Sequence, residues 1–260
     1  MSIDVTEVAT ASGALPRRLS DDVLWGGGCL PVPYKSKLLH GHFGVYVVKF
    51  DGGAYLVDTG YPVMAEEMER QLDEFLGDTP VDYIFPTHPE IPHAGLLGRW
   101  LEKYPNAVVI GDTRDFHLYY PEQMASGSFR HFAAGEALDL GDRVLTFVPA
   151  VWRDLPSSMW MHDSATGILF VSDAFAFLHP HEDGECDRLA SEQETPDLET
   201  AQFFNNAALF WTRFGDVEGT FPDIDELLTR LKPTMIAPAH GAVCDNVEEL
   251  VPFFKRSMTS

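Results

Sequence analysis

Three apolar, strand-like segments of this chain run straight into residues that bind cations: YIFP into THPEIPHAG, LFVS into DAF, and MIAP into AHG. Side chains at strand ends stand on a rigid frame and face an open edge that a ligand can reach. The chain must therefore fold so that several strands end on one side. The segments between them set the class. Val23 to about Asp58 reads as β: VLWGGGCLPV, HFGVYVVKF and AYLVDTG, the last two joined by a turn at Asp51-Gly52-Gly53. Residues 62–76 have helical spacing, and Gly77-Asp78 ends them. VDYIFP, the helix LLGRWLEKY and the strand AVVIGD follow, and such β-α-β alternation packs helices on a sheet.

Residues 112–135 read as irregular and rich in aromatics. LDLGDRVLTFVPA and SMWMHDSATGILFVSDAF read as strands of a second sheet, with a turn at Ala165-Thr166-Gly167. Residues 179–199 form a long acidic excursion of the kind that serves as a lid. Two helical stretches, TAQFFNNAALFWTRF and DIDELLTRLK, then the strand MIAPAHG and a helix VEELVPFFKR complete the order. There is no internal repeat and no linker. The reading is a flexible N-terminal segment over 1–20 and one domain over 21–260.

Composition excludes several classes. Hydrophobic residues make up 45% of the 260, so a large core can be buried and general disorder is ruled out. Lys and Arg total 18 against 40 Asp and Glu, a formal net charge of -22. That surface repels phosphate backbones and anionic lipid, so neither nucleic acid nor membrane is an expected partner. The start of the chain lacks the basic-then-apolar pattern of a secretion signal, and no stretch approaches a membrane span, so a cytoplasmic location is expected. Cys29, Cys186 and Cys244 are odd in number and far apart; they read as reduced thiols, with neither a disulfide framework nor a thiolate zinc site legible.

His88, Glu90 and His93 lie within six residues of one another. A loop with two imidazoles and a carboxylate can hold a cation, although this spacing alone is weak evidence of one. Combined with Asp58-Thr59-Gly60, Asp173 after its strand, and His240 in PAHG, the order resembles the metallo-β-lactamase fold superfamily. That family's signature is His-x-His-x-Asp-His. Here the four positions are His88, Glu90, Pro92 and His93, so a histidine has become Glu90 and the aspartate Pro92.

A glutamate at that place is similar to the flavodiiron branch, whose members bind two irons and reduce O2 or NO. Its His-Trp-Pro-Asp-Ser-Met stretch is matched by Asp154-Leu155-Pro156-Ser157-Ser158-Met159, with Asp154 where the family has a histidine ligand. Its Ser-x-Asp-Ala-Phe-Gly stretch is matched by Ser172-Asp173-Ala174-Phe175-Ala176, and its Pro-Ser-His-Gly by the segment of His240. The resemblance runs from about Leu24 to about Lys255 and includes no flavodoxin-like segment.

The resemblance implies an α/β fold, the αββα four-layer sandwich with its metal site at one edge. It implies one metal held by His88, Glu90, Asp154 and Asp173, another by His93, Asp173 and His240, with Asp173 bridging. Oxygen-rich donors with imidazole suit iron or manganese, with zinc still open. Pro92 has no donor, so the second metal loses a ligand; His40, His42, His179 and His181 are the replacements weighed, and one of them is expected to face the cavity. Asp58 is expected to order the metal loop. Arg153, beside Asp154, reads equally as a surface ion pair or as a cation for an anionic substrate, and joins Asp173 as a candidate catalytic residue. Trp152, Trp160, Phe175, Phe177, Phe203, Phe204 and Trp211 are expected mostly in the core.

Three functions follow. The first is a non-haem diiron oxidoreductase or gas-binding protein that handles O2, NO or a small substrate, with electrons from a separate redox partner and, by the resemblance, a homodimeric state. The second is a metal-dependent hydrolase of an ester, lactone or related bond that uses metal-bound hydroxide. Against it stand Pro92 and Glu90. The third is a binding protein with a degenerate site, disfavoured because five ligand-type residues survive together.

Overall fold

The computed structural model describes residues 15–180 and 184–259. Among these, twelve strands form two sheets. β1 (Arg17–Arg18), β2 (Val23–Tyr34), β3 (Lys37–Phe50), β4 (Gly53–Val57), β5 (Val81–Phe85), β6 (Val108–Gly111) and β7 (Ser128–His131) lie side by side in chain order. The first four pair antiparallel and the rest parallel. The second sheet runs β12-β11-β10-β9-β8, from β8 (Ala137–Asp139), β9 (Val144–Pro149), β10 (Met159–Asp163), β11 (Ile168–Phe170) and β12 (Met235–Ala237). Only β11 and β12 pair parallel there.

Alternation assigns the faces. Along β3, Tyr46 and Val48 join the core between the sheets, while Val45 and Val47 join the core under the outer helices. α1 (Ala65–Leu76) buries Met68, Leu72, Phe75 and Leu76 against that outer face, at helical spacing. Gly77 ends α1 at φ 57, as expected. The short α2 (Ile91–Ala94) follows β5, then α3 (Leu97–Lys103), with Trp100 buried. α4 (Phe116–Tyr119) and α5 (Pro121–Ser126) lead to β7. On the far side of the second sheet lie α6 (Leu198–Ala208), α7 (Phe221–Leu231) and α8 (Val247–Met258). Phe254 of α8 packs edge-on against Phe175, and Asn205 of α6 donates to Ser257 of α8 at 2.8 Å. The result is the four-layer αββα sandwich.

Three readings needed adjustment. β2 and β3 are longer than their apolar cores, pairing from Val23↔Val48 out to Tyr34↔Lys37 through Pro31 and Pro33. β1 covers β2 only at Leu24 and Trp25, so the prolines face an edge where the missing N–H is not needed. β7 lies inside the stretch read as irregular; it is a mostly exposed edge strand with no apolar alternation to reveal it. Of the N-terminal segment, residues 1–14 lie outside the described residues, whereas Leu15 is buried and Arg17–Arg18 pairs as β1.

One polar link joins the sheets inside the core. Asp163, at the end of β10, accepts from the Tyr55 hydroxyl at 2.8 Å and from Arg143 Nη1 at 3.1 Å. Burial, and then this carboxylate, push the Tyr55 pKa well up. Removing one partner of a buried charge pair leaves the other uncompensated. Asp163→Ala is therefore expected to lower the unfolding free energy by about 3 kcal/mol, and Tyr55→Phe by about 1 kcal/mol. Urea unfolding checks both; equal losses would contradict the assignment of Asp163 as the hub.

Candidate metal centre

The ends of β4, β5, β11 and β12 meet at one edge of the sandwich. There the structure brings together His88, Glu90, His93, Asp154, Asp173 and His240. A cavity of about 260 Å³ is lined by Glu90, Pro92, His93, Asp154, Asp173 and His240, with Phe43, Leu178 and Phe204 as apolar wall. His88 is buried beneath it.

Asp173 stands at the middle. Its Oδ1 is 3.1 Å from His93 Nε2 and 3.3 Å from His240 Nε2. Its Oδ2 faces His88 Nε2 at 3.7 Å. The same His88 nitrogen lies 3.5 Å from Asp154 Oδ2 and 3.9 Å from Glu90 Oε2. It is buried and makes no hydrogen bond. A polar atom in that position is unfavourable unless something else satisfies it. Ligands about 2.1 Å from one cation stand about 3–3.5 Å apart, close to the separations found. The donor set therefore fits metal binding: ligand atoms of His88, His93 and Asp173 lie within 4.8 Å of one another, as do those of His88, Glu90 and Asp154.

The imidazoles are aimed by their other nitrogens. His93 Nδ1 donates to Asp58 Oδ2 at 2.8 Å, and His240 Nδ1 donates to the His42 carbonyl at 2.7 Å. In each case the acceptor cannot donate, so Nδ1 carries a proton and Nε2 is the nitrogen left to face a cation. His88 Nδ1 pairs with Ser172 Oγ at 2.9 Å. Asp58 also accepts from the Thr87 backbone N–H at 2.7 Å, which ties the end of β4 to the loop of His88. Asp154 is held by Leu155 N–H at 2.7 Å and by the Ser158 hydroxyl at 2.9 Å.

Other predicted residues fall elsewhere. Arg153 is exposed and lines a surface cleft with Asp154, Leu155 and Trp211, not the cavity. Of the four replacement histidines, His42 lines the cavity, but its Nε2–H donates to the Cys186 carbonyl at 2.6 Å. His179 is buried next to Cys29 and Cys186, His40 is buried beside His179, neither lines the cavity, and His181 lies outside the described residues. Trp152, Trp160, Phe175 and Phe177 are core residues; Phe204 reaches the cavity, while Phe203 is 41% exposed. Sequence reading missed Thr87 and Ser172 as orienting residues, though both directly precede a ligand-type residue.

Residues 45–240 match the profile of the metallo-beta-lactamase superfamily. The chain belongs to that superfamily. An oxidase of reduced coenzyme F420 from Methanothermobacter marburgensis is 28% identical over 242 residues, covering 88% of this chain and 58% of its own length. An anaerobic nitric oxide reductase flavorubredoxin from Aliivibrio salmonicida is 29% identical over 205 residues, covering 75% of this chain and 39% of its own. The chain thus spans little more than half the length of the first of these superfamily relatives. A flavo di-iron protein variant from Thermotoga maritima shares the fold with TM-score 0.75 at 16% identity, over 95% of this chain and 61% of that one.

The protonation of this superfamily site follows from its charges. Burial alone would lower the His93 pKa, but Asp58 and Asp173 outweigh it and hold the pKa well above the ordinary histidine value. Burial alone would raise Asp173, but His93 and His88 outweigh it and hold it well below the usual carboxylate range. In the metal-free chain the His93 charge stabilises the fold below the unfolded pKa, and this stabilisation is lost as pH rises through the folded value. Asp173 contributes above its unfolded pKa, and its contribution is lost as pH falls through the folded one. Metal binding at neutral pH must displace the His93 proton, so net proton release is expected. Calorimetry in two buffers of different ionisation enthalpy measures it. Asp58→Asn is expected to reduce the release and to weaken metal retention about 10–100-fold. Binding without proton release would contradict the assignment.

Proposed function

We propose that the six side chains hold two irons, and that the chain is the metal-binding core of a flavodiiron-like oxidoreductase that reduces O2 or NO. His88, Glu90, Asp154 and Asp173 would hold one ion, and His93, Asp173 and His240 the other. The observation that carries this reading is the division of Asp173: one oxygen faces His93 and His240, the other His88. The activities of the oxidase and nitric oxide reductase relatives support it. So does an oxygen-rich donor set with imidazole and no thiolate, which suits iron or manganese.

Bound iron would supply the electrons and Lewis acidity that reduction of O2 or NO requires. The chain's part is to orient and to exclude. Asp58 and the His42 carbonyl fix the rings of His93 and His240. Phe43, Leu178 and Phe204 give the cavity an apolar wall that suits a small, weakly polar ligand. Pro92 lines the same cavity and offers no donor, which leaves room beside the second position. Electrons would come from a separate redox partner, with Arg153 on the outer rim as a contact for an acidic group. A homodimer, by resemblance, and a cytoplasmic setting complete the proposal.

The test is metal content after expression with iron and zinc both supplied, followed by gas consumption at an electrode with dithionite as reductant. The expected result is an iron pair per chain and consumption of O2 or NO well above a metal-free control. Asp173→Ala is expected to abolish both. A colourless zinc protein that hydrolyses esters or lactones and consumes neither gas would overturn the proposal in favour of the hydrolase.

A further inference from the structure

A second group of metal-binding side chains lies beside the cavity, among residues that the diiron reading does not use. Cys29 sits on β2, directly across from His42 on β3. After β11 the chain reaches His179, which bridges to β3: His40 N–H donates to the His179 carbonyl at 2.8 Å, and His179 N–H donates to that of His40 at 3.1 Å. Cys186 follows in the same segment. One donor atom from each of Cys29, His179 and Cys186 lies within 4.8 Å of the other two. All three residues are buried, at 1%, 3% and 1% exposure. The thiols of Cys29 and Cys186 hydrogen-bond to each other. That contact and then burial push the Cys29 pKa up, so without a cation this thiol stays neutral.

We infer that Cys29, Cys186 and His179 form a second metal site, for one zinc ion, which clamps the segment after β11 onto the β2–β3 hairpin. Two thiolates and an imidazole are soft donors that favour zinc over hard cations, the opposite preference to the oxygen-rich centre. Two sulfurs on a tetrahedral zinc stand about 3.8 Å apart, so donors already gathered within 4.8 Å need move by no more than about 1 Å. Water takes the fourth position. Both thiols release their protons to solvent on binding; nothing is oxidised or reduced.

The clamp adjoins the other centre through His42. Its ring stacks on His179 at 4.5 Å, and its Nε2–H donates to the Cys186 carbonyl at 2.6 Å. Its own carbonyl accepts the Nδ1–H of His240. Leu178, in the cavity wall, immediately precedes His179. The zinc site therefore fixes both a wall of the cavity and the residue that orients His240. Its existence does not depend on which metal the cavity holds.

The test uses the full chain, stripped of metal and reduced under argon, then titrated with cobalt(II) alone. The expected result is sulfur-to-cobalt charge-transfer absorption that saturates at one equivalent and is displaced by zinc. Cys186→Ser is expected to lose the absorption while cobalt uptake at the oxygen-rich centre persists. Cobalt uptake to saturation without sulfur absorption would overturn the inference, as would a Cys29–Cys186 disulfide that persists in protein purified with zinc under argon. The spectrum is read on the unmodified chain, so a variant that fails to fold leaves the answer intact. Iron is counted separately, so failure of one site is distinguishable from failure of the other.

Discussion

Asp173 places a carboxylate almost wholly out of water, with His88, His93 and His240 around it. A buried charge of that kind persists only where cations or protons meet it. The rest of the edge is arranged to supply them. Each imidazole is turned toward Asp173 by a partner behind it: Ser172 for His88, Asp58 for His93, the His42 carbonyl for His240. Those partners belong to β3 and to the ends of β4 and β11. The centre is thus a product of the strand order that brings these ends to one edge.

The backbone carries part of this arrangement. Asp58 has φ 59, Ser172 φ 57 and Phe175 φ 58, all in the left-handed region that residues with a side chain seldom occupy. Such conformations persist where surrounding contacts over-determine them. Asp58 spends both carboxylate oxygens on that task, bonding Thr87 N–H and His93 Nδ1, while its own N–H donates to the Phe85 carbonyl at 2.9 Å. The two sheets therefore present the candidate metal ligands from sharp turns at strand ends, where a regular strand would point successive side chains to opposite faces.

What was legible in the sequence was local. His88, Glu90, His93, Asp173 and His240 each follow an apolar run, and a strand end needs only its own few residues to announce itself. Gly77 as helix terminator and the Asp51-Gly52 turn were legible for the same reason. Cys29 and Cys186 were not, because only the β2–β3 pairing and the bridge at His40 and His179 bring them together. β7 was hidden because an exposed edge strand needs no alternation. The last two residues of β2, Pro33 and Tyr34, lay beyond the apolar run VLWGGGCLPV, and only the absence of a neighbour on that side lets Pro31 and Pro33 stay in the strand.

Pro92 shows how one residue shapes the proposed pair of sites. It falls at the start of α2, where a backbone N–H has no helical partner, so proline is tolerated and fixes the φ that the turn requires. His93 follows it into the cavity wall. The donors are then unequal: three carboxylates and one imidazole around one position, and two imidazoles with a share of Asp173 around the other. Two divalent cations would carry four positive charges against the three ligand carboxylates and Asp58 behind His93, which leaves the centre close to neutral. The surrounding molecule, at -22, opposes the approach of anions over longer range. In the proposed reading a neutral diatomic crosses that field without opposition and meets a cavity with an apolar wall. An anionic substrate would have to overcome the same field before reaching the cavity. In the proposed reading the acidity of the chain and the donorless Pro92 therefore favour the same class of ligand.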